Sequence, residues 1–289
     1  IFMFTSKLSS LTICFVIYLL AFYFSFILLP ETINNIWLKI TIWHIYATLF
    51  VYFGSLVLKN SSLYDPFWSV APLAIVIYLA TISENSFLTN LIILIPIIFW
   101  GIRLTRNWIF GWPGLSHEDF RYIDLKNTYW IKSEINNLFG IHLFPTLIVN
   151  LSLYPLLYVF TFEISITFSL CISLLFTLLA VVLETIADEQ MRNFRNNPAN
   201  KGKTMKFKLW KYSRHPNYLG ELLFWFGICL IGINSDAAPI LIILCPIPMM
   251  MLFVFVSCPL MDERSLKNRS DYQEYMEKTS QLLLLPPKQ

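Results

Sequence analysis

The segment ISITFSLCISLLFTLLAVVLETIADEQMRNFR, residues 164–195, decides the fold class of this chain. Its first part, Ile164 to Leu183, carries no charge and has the length of a helix that crosses a bilayer, about twenty residues. Its second part continues with helical spacing but carries carboxylates and arginines as far as Arg195. The segment therefore predicts a membrane-spanning helix that ends among polar groups.

The rest of the chain repeats the apolar part of this segment. Of 289 residues, 56% are hydrophobic and only 13% are charged, against roughly 25% charged residues in soluble domains. Further apolar runs are Leu11 to Leu29, Ile36 to Leu58, Leu88 to Leu104, Gly140 to Val159 and Ala237 to Met261, with the shorter runs Val70 to Ile82 and Leu222 to Ile233. Together they predict an all-α polytopic membrane bundle of about eight transmembrane helices.

The distribution of charge predicts the orientation of these helices. With eight crossings, the amino terminus and residues 59–69, 105–139, 184–221 and 262–289 share one side. The four short loops on the other side contain Glu31, Glu84, Glu163 and Asp236, and no Lys or Arg. Because basic residues collect in cytoplasmic loops, we expect the large loops and both termini on the cytosolic side.

Composition also excludes several kinds of partner and site. A net charge of +3 is too small to indicate a nucleic-acid partner. The five cysteines lie in apolar runs without metal-ligand spacing, so the sequence predicts neither a disulfide framework nor a metal site. His44 and His142 are isolated in apolar runs, and we expect them to be hydrogen-bonded core residues.

The charged end of the quoted segment has a regular spacing. Glu184, Asp188, Arg192 and Arg195 fall on one face of a helix. One interpretation is a row of surface ion pairs. A sharper one is a binding site whose carboxylates accept ribose or amide donors while its arginines bind phosphate. The basic residues that follow, up to Arg214, also suit contact with anionic lipid.

A second polar segment is SRHPNYLGE, residues 213–221. Pro216 suits the first turn of a helix, whose free amide groups would form an anion site beside Arg214 and His215. Asn217 and Glu221 would then lie on one face of that helix. A plain capped turn is the alternative interpretation.

These segments resemble a known family. The Glu184-x-x-x-Asp188 helix, residues 213–221 and the tail Asp262-Glu263-Arg264 with Tyr272 and Tyr275 resemble the carboxy-terminal domain of the steroid 5-alpha-reductase family, and more closely its DUF1295 branch. Residues 65–69 (DPFWS), 100–106 (WGIRLTR) and 114–122 (GLSHEDFRY) look like the same branch. We therefore expect two parts: residues 1–58, two spans without a family motif, and residues 59–289, the family domain.

The resemblance implies a membrane reductase that delivers hydride from NADPH to a carbon–carbon double bond conjugated to a carbonyl. Its substrate would be a lipid or sterol-like molecule taken from the surrounding membrane lipids. The endoplasmic reticulum membrane is the compartment that the family suggests, with an organellar inner membrane as the alternative. The positions that match cofactor-binding residues are Glu184, Asp188, Arg192, Arg195, Arg214, His215, Asn217, Tyr218, Glu221, Glu263 and Arg264.

The catalytic acid is less clear from the sequence. Protonation of the developing enolate needs a Tyr or a carboxylic acid aimed at the carbonyl oxygen. The Glu and Tyr that steroid reductases use have no clean counterpart, and Trp100 stands where a Tyr might precede Arg103. We assign catalysis to Tyr122 and Asp65, with Tyr64 and His117 as further candidates.

Two other functions compete with the reductase. Isoprenylcysteine carboxyl methyltransferases, which use S-adenosylmethionine, share an Arg-His-Pro-x-Tyr segment, but the Glu184 to Arg195 helix and the Asn217/Glu221 pair suit a dinucleotide better. A non-catalytic subunit of a larger membrane complex, retaining the reductase fold, is the second alternative. The missing catalytic Tyr is the feature that keeps it open.

Overall fold

The structure is a computed structural model that describes residues 6–288. Within this range the chain is all-helical and contains no strand, which confirms the predicted all-α class. The α-helices are α1 (Lys7–Ile27), α2 (Ile36–Leu58), α3 (Phe67–Thr81), α4 (Phe87–Gly111), α5 (Phe120–Lys126), α6 (Trp130–Ile135), α7 (Phe144–Thr161), α8 (Phe168–Asn196), α9 (Pro216–Gly232), α10 (Ile247–Leu252), α11 (Cys258–Asn268) and α12 (Tyr272–Lys278).

Short 3₁₀ and π segments connect several of these helices. The 3₁₀ helices are Ser61–Tyr64, Pro198–Asn200, Lys208–Lys211 and Ile240–Leu244. Two π-helical segments, Asn136–Leu143 and Phe253–Ser257, join α6 to α7 and α10 to α11. One long helical segment therefore extends from Ile131 to Thr161. A second, Ile240–Asn268, begins with the last 3₁₀ helix and ends with α11.

Seven helical segments of the described chain are long and apolar enough to cross a membrane, and they indicate an integral membrane protein. They are Lys7–Ile27, Ile36–Leu58, Ser61–Thr81, Phe87–Gly111, Ile131–Thr161, Phe168–Asn196 and Ile240–Asn268. The predicted polytopic helical bundle is thus confirmed. The run Leu222 to Ile233 lies mostly in α9, whose 17 residues fall one short of an 18-residue span. The eighth crossing and the cytosolic side of both termini stay predictions.

Local sequence signals set the helix starts. Asn35 precedes α2, and its side-chain oxygen accepts a hydrogen bond from the Leu38 amide at 2.8 Å. Thr167 caps α8 in the same way. Such caps satisfy amides that have no partner within the helix. Pro216 is the first residue of α9, as predicted, because its fixed φ suits that position.

The chain divides into two compact units. The first unit comprises the residues up to Glu84 together with Ile97–Thr161, and the second comprises Asn85–Pro96 and the residues from Phe162 onward. The boundary within α4 falls after Pro96, where proline removes a backbone donor. The predicted division at residues 58 and 59 rests on sequence motifs and stays a prediction.

In the first unit, polar side chains are paired inside an aromatic and aliphatic core. His142 lies between the Ser55 hydroxyl, at 3.0 Å, and the Asn137 carbonyl, at 2.8 Å, which confirms it as a hydrogen-bonded core residue. His44 is also buried, against the Phe67 ring, but its Nδ1 has no hydrogen-bond partner among the described residues. The hydrogen-bonding part of the expectation for His44 is therefore not met at that atom.

In the second unit, two glycines let α8 and α9 approach closely. A Cβ atom at Gly220 would lie 2.6 Å from the Glu184 Cβ, and one at Gly227 would lie 2.3 Å from the Thr177 hydroxyl oxygen. Both distances are too short for any side chain to be accommodated without movement. The two glycines are about two helical turns apart, so they form one continuous contact along α9. This contact brings the charged end of α8 next to the first turn of α9.

Candidate functional site

Two buried carboxylates mark the α8–α9 contact in the second unit. Glu184 packs directly against Gly220 and is buried. Glu221 is 3% exposed and accepts a hydrogen bond from the Trp225 indole N–H at 2.8 Å. Carboxylates at such positions need hydrogen-bond donors around them. Glu184 on α8 thus packs against the residue that precedes Glu221, which lies one turn after Asn217 on α9.

Arg195 connects the remaining predicted residues. It lies in the last turn of α8 and interacts electrostatically with Asp188 on the same helix and with Tyr218 on α9. It also experiences the charges of Arg264 and Arg269 at the end of α11. Residues from three separate sequence segments therefore lie within electrostatic range of one guanidinium group.

Two predicted residues have nearby ion-pair partners on their own helices. Arg192 pairs with Glu189, one turn earlier on α8. Glu263 pairs with Lys267 at 2.7 Å on the exposed side of α11. Exposed pairs of this kind contribute little to stability. Arg192 and Glu263 thus each form an ion pair with a neighbour on the same helix.

Arg214 and His215 meet at a carboxylate that the sequence analysis did not assign to the site. The Arg214 Nη2 and His215 Nε2 atoms each lie 2.9 Å from an oxygen of Asp262. The Tyr272 hydroxyl donates to the same carboxylate at 2.5 Å. Burial raises the pKa of Tyr272, and the hydrogen bond to Asp262 raises it further. Tyr272 therefore stays protonated and keeps its role as a donor.

The second terminal nitrogen of the Arg214 guanidinium group, Nη1, binds the segment at the end of α12. Arg214 Nη1 donates to the carbonyl oxygens of Met276, at 2.8 Å, and Thr279, at 3.0 Å. Backbone bonds extend the contact, since the Arg214 amide donates to the Ser280 carbonyl and the Leu285 amide to that of Tyr212. The Arg-His-Pro segment thus joins the start of α9 to α11, α12 and the residues after α12.

Tyr218 links this cluster to the π-helical segment before α11. Its ring stacks on the His215 ring, with centroids 5.3 Å apart and planes 12° from parallel. The edge-on contact with Phe253, at 4.9 Å, completes the stack. Aromatic stacks of this kind hold rings in fixed orientations. Tyr218 is therefore positioned by packing and faces the charge of Arg195.

The two catalytic candidates lie together in the first unit. The Tyr122 hydroxyl, at the start of α5, donates a hydrogen bond to Asp65 Oδ1 just after the 3₁₀ helix Ser61–Tyr64. Arg121 lies 3.7 Å from the same oxygen, and its Nε donates to Asp119 at 2.8 Å. Burial raises the pKa of Tyr122, and the charge of Asp65 adds to the shift. Tyr122 therefore stays protonated across the physiological range.

Hydrogen bonds from the segment before Tyr122 hold that segment against the 3₁₀ helix Ser61–Tyr64. Glu118 accepts a hydrogen bond from the Ser61 amide at 2.6 Å and pairs with Lys126 at 2.5 Å. The Asp119 amide donates to the Ser62 hydroxyl oxygen at 2.7 Å. These residues belong to the GLSHEDFRY motif and its continuation, but Asp119 and Arg121 were not among the predicted site residues. The motif itself was the signal that pointed to them.

The other two catalytic candidates make separate contacts. The Tyr64 hydroxyl bonds to the Thr146 hydroxyl at 2.8 Å. His117 contacts Asn60 through its backbone carbonyl. The assigned catalytic residues belong to the first unit, and all eleven assigned cofactor residues belong to the second.

Comparison with known proteins identifies the family. A family model described as a protein of unknown function (DUF1295) matches residues 50–279, about four fifths of the chain. No curated protein and no solved structure matches the chain. Because the match covers most of the sequence, including both sets of residues described above, the chain belongs to the DUF1295 family.

Proposed function

We propose that this protein is a membrane-embedded reductase that uses NADPH to reduce a carbon–carbon double bond conjugated to a carbonyl in a lipid or sterol-like molecule. Two findings support the proposal. The sequence motifs resemble those of steroid 5-alpha-reductases, and three residues from these motifs, Asp188, Tyr218 and Arg264, interact electrostatically with Arg195. The apolar helices suit a substrate that reaches its site from the bilayer.

The convergence on Arg195 carries this proposal. Asp188, Tyr218 and Arg264 come from three motifs that are far apart in the sequence, yet each of them interacts with Arg195. An ordinary surface salt bridge would give Arg195 a single charged neighbour, whereas Arg195 interacts with groups from three motifs. A guanidinium group beside a carboxylate and an aromatic hydroxyl offers both the charge that phosphate needs and the acceptor that ribose needs.

The donor set fits a dinucleotide. Asp188 and Arg195 would hold its ribose and phosphate groups, and Asn217 with Glu221 would hold the nicotinamide end. Glu184 is buried beside them and can accept a hydrogen bond from an amide. When bound, NADPH supplies the hydride. The first turn of α9 places backbone amides near Asn217, which adds further donors.

The proposal assigns proton delivery to Tyr122, with Asp65 beside it. Without substrate, the Tyr122 hydroxyl donates its hydrogen bond to Asp65, and Arg121 offsets the charge of that carboxylate. When substrate binds, the hydroxyl turns from Asp65 to the carbonyl oxygen of the substrate and gives up its proton there as negative charge develops. Solvent returns the proton to Tyr122, so the net reaction consumes one hydride and one proton per double bond.

The proposal is tested with the full chain purified in lipid nanodiscs. We expect NADPH to bind and to be oxidised when a steroid with a conjugated enone is added, followed by NADPH absorbance. Arg195→Ala and Asn217→Ala should each weaken NADPH binding about tenfold, the loss of one charge-assisted or polar contact. Arg106→Ala is the matched control, because Arg106 is an exposed arginine that lies over the Phe110 ring. Absence of any NADPH affinity in the intact protein would remove the proposal.

A non-catalytic subunit is the second candidate function, and one observation favours it. Arg192, Arg214, His215 and Glu263 were all assigned to the cofactor, and all four have ion-pair partners within the protein. A chain that retained the fold as part of a membrane complex would need only these internal contacts. Stoichiometric co-purification in such a complex, with no NADPH oxidation on any enone, would favour this function over the reductase.

The compartment is also part of the proposal. We expect the endoplasmic reticulum membrane, because the resemblance points to an enzyme of lipid metabolism. A tagged chain should co-fractionate with markers of that membrane. Co-fractionation with an organellar inner membrane would contradict this assignment without affecting the reductase activity.

A further inference from the structure

An open cavity of about 320 Å³ lies beside Arg195 in the second unit. Its walls are the last residues of α8, the loop that follows, and Arg269 at the end of α11. Four of the residues that line it are cationic: Arg195, Lys201, Lys203 and Arg269. None of the described residues that line it is acidic. A cavity with this lining attracts anions.

The loop that carries the two lysines is held by its own hydrogen bonds. Asn200 donates from its side chain to the Phe194 carbonyl at 2.9 Å, which ties the loop back to α8. The Lys203 amide donates to the Asn200 carbonyl at 3.0 Å. Gly202, between the lysines, has a φ of +77°, a conformation that favours glycine. Lys201 and Lys203 are therefore presented on a closed turn.

The opposite wall of the cavity, at Arg269, is joined to the loop that carries Lys201 and Lys203. Asp271, two residues after Arg269, accepts a hydrogen bond from the Thr204 hydroxyl at 2.6 Å and pairs with Lys206 at 3.1 Å. Burial alone would raise the pKa of Asp271, but these two partners hold it below its usual range. The Asp271 carboxylate therefore joins the loop to the residues after Arg269, and its negative charge is paired with Lys206.

Charge and size together specify the ligand. Arg195 already experiences the repulsion of Arg264 and Arg269, and the lysines add two further positive charges. A doubly charged phosphate monoester matches such a cluster better than a singly charged diester. The cavity is at the lower end of roughly 300–1,000 Å³, the range of small-molecule pockets. It has room for a phosphorylated sugar but not for a whole dinucleotide.

We propose that this cavity binds the phosphate monoester on the 2′ position of the adenosine ribose of NADPH. Lys201, Lys203 and Arg269 thereby select the phosphorylated dinucleotide over its unphosphorylated form. This inference rests on the proposed function, and it adds three residues that no sequence motif had singled out. The charged face of α8 holds the shared part of the cofactor, and the cavity recognises the part that distinguishes NADPH from NADH.

The test uses fragments that contain one phosphate each. The full chain in phosphatidylcholine nanodiscs is titrated with 2′-AMP, 5′-AMP and adenosine by calorimetry. We expect 2′-AMP to bind at least about tenfold more tightly than 5′-AMP, a difference of about 1.4 kcal/mol. The double variant Lys201→Gln/Lys203→Gln should lose this preference, and Lys201→Arg/Lys203→Arg should retain it. Lys208→Gln is the matched control, because Lys208 is an exposed lysine at the start of the next 3₁₀ helix and lies outside the cavity lining.

Equal binding of 2′-AMP and 5′-AMP, or an unchanged preference in the glutamine double variant, would overturn the inference. Displacement of 2′-AMP by phosphatidic acid in the nanodisc would also overturn it, since the phosphate would then come from a lipid headgroup. Failure of the proposed function has a different result. A lysine-dependent preference for 2′-AMP without enone-dependent NADPH oxidation supports the cavity and removes the reductase. Turnover that is equal with NADPH and NADH keeps the reductase and removes the cavity assignment.

Discussion

Arg214 and Asp262 form a nearly buried ion pair, with side chains 10% and 6% exposed and an N–O distance of 2.9 Å. The pair joins the first turn of α9 to α11, and the same carboxylate contacts His215 and Tyr272. Removing one partner from such a pair leaves a buried charge without compensation, which is more costly than the pair is stabilising.

We therefore expect Asp262→Ala to lower the free energy of unfolding by about 3–5 kcal/mol. Thermal unfolding of the detergent-solubilised protein measures the effect. The matched control is Glu263→Ala at the next position, because Glu263 is 61% exposed and pairs only at the surface. That variant should lose less than about 1 kcal/mol. Equal losses of unfolding free energy in the two variants would show that the buried cluster stabilises the protein no more than the exposed pair does.

The α8–α9 contact predicts a strong effect from a single methyl group. Gly220→Ala would place a Cβ atom 2.6 Å from the Glu184 Cβ and 2.8 Å from its amide nitrogen. Because backbone atoms cannot move aside as a flexible side chain can, we expect a loss of about 1–3 kcal/mol. Gly111→Ala has nothing within 4 Å of the added atom and should change stability by about 0.5 kcal/mol or less. An unaffected unfolding temperature for Gly220→Ala would contradict the close contact.

Tyr122→Phe tests the proton donor of the proposed reaction. The variant removes the hydroxyl that bonds to Asp65 while keeping the ring. We expect turnover of the enone to fall about 10²- to 10⁴-fold, the usual contribution of a general acid, with NADPH affinity unchanged. Tyr129→Phe, at a residue that is 69% exposed, should retain wild-type turnover. Full activity in Tyr122→Phe would exclude this residue as the acid.

Buried tyrosines predict a loss of stability at alkaline pH. The pKa of Tyr272 is higher in the folded chain than its ordinary value of 10. The folded state therefore retains a proton that the unfolded state has lost, and stability is full below pH 10 but falls as the pH rises above it. Tyr122 and Tyr275 contribute in the same direction.

The measurement is the free energy of unfolding as a function of pH. In the Tyr272→Phe variant, the slope above pH 10 should be less steep by up to about 1.4 kcal/mol per pH unit, the contribution of one proton. The variant should be less stable than the wild type at neutral pH, because Asp262 loses a donor. An identical slope in both proteins would mean that Tyr272 ionises freely in the folded state.

Periodicity and length were sufficient to predict the membrane helices and the helix start at Pro216. They could not predict the pairing of residues far apart in the chain. Asp262 lies 48 positions from Arg214, and Tyr122 lies 57 from Asp65. Both pairs depend on how helices pack, which a single sequence does not encode in any local pattern. The motifs that carry the resemblance nevertheless contain all four of these residues.

The predicted cofactor site shows the same limit in more detail. Helical spacing placed Asp188 and Arg195 on one face, and the structure brings Tyr218 and Arg264 to it. Arg214 and His215 were assigned to the cofactor because a helix start beside two cations resembles an anion site. Whether such cations face a ligand or a carboxylate of their own chain depends on α11, and the sequence offered no means of locating that helix.

The position of Asp262 in the chain has a consequence for synthesis. Arg214 emerges from the ribosome 48 residues before the carboxylate that neutralises it, and earlier still than the carbonyl groups of Met276 and Thr279. All of α9 is therefore synthesised before the carboxylate that pairs with Arg214, two residues ahead of this helix. A chain interrupted before Asp262 would contain α9 without the contacts that join its start to α11.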